Sequence, residues 1–132
     1  MKQISVDPIA REAIAAAGLL WGEFDRATQA HGLATTGGQV SHTGFAGSTL
    51  GGGLGYLMRK HGATCDNLLS VDIVTAGGEM LTASEEVNRD LIWAIRGAGA
   101  NFGVVRPSDT ACIRWVRSLR ECCCTRENVQ PS

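Results

Sequence analysis

Residues 37–55 read GGQVSHTGFAGSTLGGGLG, and the interpretation of this stretch decides the fold. It holds eight of the chain's 17 glycines and no Lys, Arg, Asp or Glu. Val40, Phe45, Leu50 and Leu54 are spaced through it, an apolar content unlike that of Ser-, Pro- and Glu-rich disordered chain. Glycine lets backbone N–H groups approach a ligand and adopt positive φ, so successive amides can converge on an anion such as a phosphate or pyrophosphate. The same glycines would serve equally well as tight turns in a small α+β domain, and their number alone leaves both readings open. Two standard phosphate loops are excluded by spelling. No Gly-Lys-Ser/Thr follows for a Walker loop, and Gly51-x-Gly53 and Gly97-x-Gly99 meet Tyr56 and Phe102 where a Rossmann fingerprint has its third glycine.

Working outward, short elements alternate with glycine turns. Upstream, Ile4 to Val6 suits a short strand, and Trp21, Phe24, Ala27 and Ala30, with Leu20, predict one buried helical stripe that stops at Gly32. Downstream, Leu54 to His61 predicts a helix ending at Gly62, and LLSVDIVT over 68–75 predicts a strand. Gly77-Gly78 predicts a two-residue hairpin turn with a return strand over 79–82. Asp90 opens a helix through Leu91, Trp93, Ala94 and Ile95 that ends at Gly97, and GAGANFG leads into Val104-Val105. Tyr56 and Trp93 read as core aromatics, Cys65 as a small buried hydrophobe, and His31 and His61 as helix-end residues favoured by the dipole. His42 reads as a hydrogen-bonding loop residue rather than an attachment site.

Composition bounds the functions. The chain has 132 residues, 44% hydrophobic and 19% charged, with a net charge of −1, enough for one modest core. It offers no basic field for nucleic acid. Its apolar runs, such as Ala13–Leu20, fall far short of the roughly 20 residues a bilayer requires, and no signal peptide opens it, so no membrane partner and a cytoplasmic location are expected. The composition also divides in two. Residues 1–105 hold all 17 glycines and one cysteine, with seven Lys/Arg against ten Asp/Glu, a net −3. Residues 106–132 hold no glycine and four cysteines, with five Lys/Arg against three Asp/Glu, a net +2. No Cys-x-x-Cys occurs, and the adjacent Cys122, Cys123 and Cys124 cannot converge on one ion, so no metal site is expected.

Four blocks in order carry a resemblance. These are the glycine loop, the His61-Gly62 to Asp66-Asn67 segment, the strand–turn–strand around Ile73-Val74 and Gly77-Gly78, and the Trp93…Arg96-Gly97-Ala98-Gly99-Ala100-Asn101-Phe102-Gly103-Val104-Val105 corner. Together, from about Val6 to Val105, they resemble the FAD-binding domain of the vanillyl-alcohol oxidase/para-cresol methylhydroxylase superfamily, in its berberine-bridge-enzyme-like branch. The resemblance implies an α+β fold, the second half of a PCMH-type FAD-binding domain, with a mixed sheet, flanking helices and a glycine-rich pyrophosphate loop. It implies FAD as cofactor and, in a complete enzyme, hydride transfer from a small organic substrate to the flavin with oxygen as acceptor.

By the same resemblance, the loop from Gly44 to Gly55 wraps the FAD pyrophosphate. Gly44, Gly47, Gly51, Gly52, Gly53 and Gly55 allow close approach, and Ser48 and Thr49 add hydroxyl donors. Asp66 and Asn67 act as scaffold or cofactor contacts, and Ile73 and Val74 bond the adenine through main chain. No catalytic residue is assigned, because the family's substrate domain, and the upstream segment carrying its flavin-linking His, have no counterpart in these 132 residues. Turnover by this chain alone is not expected, and a noncatalytic remnant or one half of a split flavoprotein with a complementing chain is the alternative.

Residues 1–105 thus read as a partial FAD-binding domain and 106–132 as an out-of-frame or disordered tail. Past Val105 the family continues Thr-Ser-Phe-x-Tyr-Arg-Leu-His-Pro-Val-Gly-Pro, whereas this chain reads RPSDTACIRWVRSLRECCCTREN. Back-translation with suitable codons, read one base out of register, yields Ser-Phe-Gly-Tyr-Arg-Leu-His-Pro-Val-Gly-Pro. A single-base insertion or deletion near the Arg106 codon accounts for the change.

Overall fold

The computed structural model describes residues 2–105 and 113–116. Strands β1 (Ile4–Asp7) and β2 (Glu12–Ala15) form a hairpin, followed by helices α1 (Trp21–Gln29), α2 (Phe45–Leu50) and α3 (Met58–His61). A 3-10 turn over Thr64–Asn67 leads into β3 (Leu68–Val74) and β4 (Met80–Ser84), then α4 (Arg89–Ala98), β5 (Val104–Val105) and β6 (Ile113–Val116). The strands form one sheet in the order β1-β2-β6-β3-β4, every pairing antiparallel, with β5 also on β3. This is an α+β domain. β6, which belongs to the compositionally distinct tail, lies between β2 and β3 and joins the β1–β2 hairpin to the rest of the sheet. The other residues of 106–132 lie outside the described residues.

The core forms where helices meet the sheet. Val71, Ile73, Ala83, Ala13 and Ala15 come from strands, Trp21 and Phe24 from α1, Phe45 from α2, and Ile92 and Ile95 from α4. Trp21 meets Phe24 and Phe45 edge-on at 5.5 and 4.8 Å between centroids, while Phe24 and Phe45 stack at 4.6 Å. Burying such rings supplies most of the favourable free energy of a small domain. The N-terminus of α1 is closed by the Glu23 carboxylate, which accepts from the Leu20 N–H at 2.9 Å and from Lys2 Nζ at 2.8 Å.

Several local expectations need correction. The stretch Phe45–Leu50 is helical rather than loop, because Phe45, Ala46 and Thr49 are buried and a buried backbone must satisfy its own hydrogen bonds. The helix expected over 54–61 shrinks to the single turn Met58–His61. Thr28, not Ala30, completes the buried stripe of α1, its hydroxyl returned to the Phe24 carbonyl at 3.2 Å. β2 has no counterpart in the sequence reading. The β3–β4 turn has three residues, not two: Thr75 N–H bonds Glu79 O at 2.9 Å, and only Gly78 takes a positive φ, +81°. Tyr56 and Trp93 are 83% and 78% exposed, so neither is a core aromatic. Cys65 is buried as expected.

Candidate functional site

The glycine stretch forms a half-turn around α2. Gly44 precedes the helix in an extended conformation, and the Phe45 N–H is held by the Leu19 carbonyl at 2.9 Å. Within α2, the Thr49 side chain is wholly buried and its hydroxyl donates to Phe45 O at 2.8 Å. The half-buried Ser48 hydroxyl accepts from Trp21 Nε1 at 2.6 Å and donates to Phe45 O at 3.2 Å. Gly51 closes the helix, and the chain then turns through Gly52 and Gly53 at φ of +105° and +71°, a region that side-chain-bearing residues avoid. Two bonds hold that turn: Cys65 N–H to Gly52 O at 2.9 Å and Thr64 N–H to Gly53 O at 3.0 Å.

The glycines fall into two groups by what surrounds them. At Gly53 a Cβ would overlap the Thr64 side chain, and at Gly55 it would overlap the Gly37 carbonyl. At Gly37 and Gly38 it would meet the Trp21 ring at 2.5 and 2.7 Å. These positions are glycine because the protein packs against itself there. At Gly44, Gly47 and Gly52, by contrast, a Cβ would meet nothing within 4 Å. Internal packing therefore leaves room for a side chain at Gly44 and Gly47, while Gly52 is held as glycine by its φ of +105°. Gly47 and Gly51 also border an open-sided groove of about 190 Å3, whose far wall is Gly97, Ala98, Gly99 and Asn101. The groove is mostly apolar and without an acidic side chain, so nothing on its walls repels a phosphate-bearing cofactor. A larger depression of about 420 Å3 beside β3 and β4 is lined by Glu12, Glu85 and Glu86, the wrong sign for a phosphate.

The remaining expected residues serve the scaffold. Asp66 Oδ2 accepts from the Ala63 N–H at 2.7 Å, and Asn67 Nδ2 donates to His61 O and Ala63 O at 3.0 and 2.9 Å. Together they fix the turn whose amides hold Gly52 and Gly53. Ile73 and Val74 pair with Leu81 and Met80 of β4 on one edge and with Val105 and Val104 of β5 on the other. β3 is thus paired on both edges at these residues. Cys65 is held back from thiolate chemistry, because burial, reinforced by the Asp66 charge, pushes its thiol above the ordinary range.

Two residues named in the sequence reading make contacts that it did not foresee. Arg96, at the end of α4, donates from one guanidinium nitrogen to Glu85 at 2.7 Å and from the other to the Leu68 carbonyl at 2.7 Å. It thereby pins the corner that forms the far wall of the groove. Trp21 was legible as a core residue, but its bond to Ser48 spans 27 positions and depends on the fold. Among the described residues no His, Cys, Asp or Glu group is arranged to hold a metal ion, and no helix is long and apolar enough to cross a membrane.

Comparison with known proteins agrees with this geometry. Residues 1–84 match the family described as FAD binding domain. An FAD-linked oxidoreductase of Aspergillus terreus, pgmH, is 48% identical over 105 residues, which is 80% of this chain and 21% of that protein. (R)-6-hydroxynicotine oxidase of Paenarthrobacter nicotinovorans is 38% identical over 105 residues, 80% of this chain and 23% of that protein. Among solved structures, 6-hydroxy-D-nicotine oxidase of Arthrobacter nicotinovorans superposes with a TM-score of 0.80 at 34% identity, covering 86% of this chain and 24% of the other. The berberine-bridge-enzyme-like protein 1 of Physcomitrella patens superposes with a TM-score of 0.77 at 36% identity, again over 86% and 24%. The chain thus spans about a fifth to a quarter of the length of these relatives. It belongs to the FAD binding domain family, and its cofactor is FAD.

Proposed function

We propose that this chain supplies the phosphate-side cradle for FAD in an oxidoreductase acting on a small organic substrate, with oxygen as the terminal acceptor. The observation that carries this reading is the uncovered backbone at Gly44 and Gly47, where nothing in the protein lies within 4 Å of a Cβ position and no positive φ demands glycine. When bound, the flavin supplies a two-electron acceptor that no amino-acid side chain can replace. The chain's own part is to bind and orient. Gly44 and Gly47 let the cofactor's phosphates approach the backbone, and Ser48 adds a hydroxyl; Gly51 and Gly52, whose N–H groups donate to Gly47 O and Thr49 O at 3.1 Å, close the helix beside them. Gly53, Gly55, Asp66 and Asn67 hold the turn in shape. Thr49 acts through α2, since its hydroxyl is committed to Phe45 O. Substrate binding and turnover require parts of the relatives' length that these 132 residues do not match. The test is a titration of the purified chain with FAD, followed by flavin absorbance and fluorescence; a folded chain that takes up no FAD overturns the reading.

A second reading, in which the chain works only beside a complementing chain, is favoured by the exposure of Leu54, Tyr56 and Trp93 at 69%, 83% and 78%. Large apolar side chains left in water commonly mark an interface. Under this reading, FAD uptake by the isolated chain is weak and rises on co-purification with the remainder of a berberine-bridge-enzyme-like protein.

A further inference from the structure

Trp21 lies outside the residues assigned above to the cofactor, yet it touches three parts of their support. Gly37 and Gly38 lie flat on its ring, Gly55 packs on the Gly37 carbonyl, and Nε1 donates to Ser48 Oγ at 2.6 Å. The indole is fully buried and wedged against Phe24 and Phe45, so it has no freedom to swing. An indole N–H can only donate. The Ser48 oxygen is therefore the acceptor in that bond, and its own proton is turned away from Trp21.

The acceptor within reach of the Ser48 hydroxyl is Phe45 O at 3.2 Å, the same oxygen that takes the shorter 2.8 Å bond from Thr49. Ser48 thus holds its proton in the longer and weaker of two competing bonds, on a half-buried side chain beside the exposed Gly44 and Gly47. We propose that Trp21 is a positioning residue of the cofactor site: its indole fixes the direction of the Ser48 hydroxyl so that the proton passes from Phe45 O to an oxygen of bound FAD. This rests on the cofactor lying against α2, as proposed above.

The experiment is an FAD titration of the full chain in four forms: unaltered, Trp21→Phe, Ser48→Ala and the double variant. Each single change weakens binding about fivefold, the effect of one lost hydrogen bond, and the double variant binds no more weakly than either single one, because both remove the same bond. Effects that add, or single variants that bind as the unaltered chain does, overturn the proposal. Because loss of the buried indole can prevent folding, a second measurement uses nitrogen-15 NMR of the Trp21 indole. Its N–H resonance shifts when FAD is added to the unaltered chain and to Ser48→Thr, but not to Ser48→Ala; a resonance unmoved by FAD in the unaltered chain overturns the proposal. Gly47→Ala separates the two levels. If it too leaves FAD binding unchanged, the placement of the cofactor against α2 fails; if it weakens binding while the Ser48 and Trp21 variants do not, only the role of Trp21 fails.

Discussion

Replacing Gly47 by alanine sets stability and binding against each other. Gly47 lies inside α2, exposed, and a Cβ built there meets nothing within 4 Å. Glycine within a helix costs roughly 0.5–1 kcal/mol relative to alanine, chiefly through the greater freedom it has to lose on folding. With no steric offset, Gly47→Ala stabilises the folded chain by that amount and raises its melting temperature by about 2–6 °C. The same methyl projects beside the groove that Gly47 shares with Gly97 and Gly99. If a cofactor lies against this backbone, the methyl acts as an overpacking substitution costing about 1–3 kcal/mol, or roughly five- to a hundredfold in Kd for FAD. Differential scanning fluorimetry without FAD and a fluorescence titration with FAD read the two quantities on one sample. A variant that melts higher and binds FAD as tightly as the unaltered chain refutes the placement of the cofactor against α2.

Other expectations follow from the same packing. Gly53→Ala adds a Cβ that overlaps the fully buried Thr64 at a φ of +71°, and costs about 3 kcal/mol in chemical denaturation, whereas Gly52→Ala, with open space around it, costs only the left-handed strain of about 1–2 kcal/mol. Burial raises the Asp25 carboxyl above its ordinary value, so the native state holds more protons than the unfolded one between the two values and loses stability as pH rises through that window. Asp25→Asn is accordingly more stable than the unaltered chain at pH 7 and gains nothing at pH values below the ordinary Asp range, as melting curves at the two pH values would show. Trp93→Ser, at a position 78% exposed, changes the free energy of unfolding by less than about 0.5 kcal/mol; a larger loss would restore Trp93 to the core.

The strands and helices legible in the sequence are those whose partners are local or whose pattern is strong. The β-branched run of β3, the spacing of Trp21 and Phe24, and Gly62 as a stop survive in the structure, while Gly97, at a φ of +107°, kinks α4 one residue before its end. What was hidden depends on distant partners. α2 looks like loop because Gly47 and its flanking glycines have poor helix propensity, yet burial of Phe45 and Thr49 overrides it. Tyr56 and Trp93 are as apolar as any core residue, and only the path of the chain shows that they face outward. Similarly, the pairing of Ile73 and Val74 with β5 joins residues about 30 positions apart, which no local pattern announces.

By itself the sequence determined the class of chemistry. The uncharged run of eight glycines in 19 positions left a phosphate loop and plain turns equally open, and it was the resemblance of four blocks in order that pointed to the FAD-binding domain. The packing around each glycine became visible in the tertiary structure alone. Gly37, Gly38, Gly53 and Gly55 are pressed against Trp21, Thr64 or another stretch of backbone, while Gly44, Gly47 and Gly52 face open space. The physical reason is that a missing Cβ leaves the same mark in the sequence whether the protein or a ligand fills its place, and only the surrounding atoms tell the two apart.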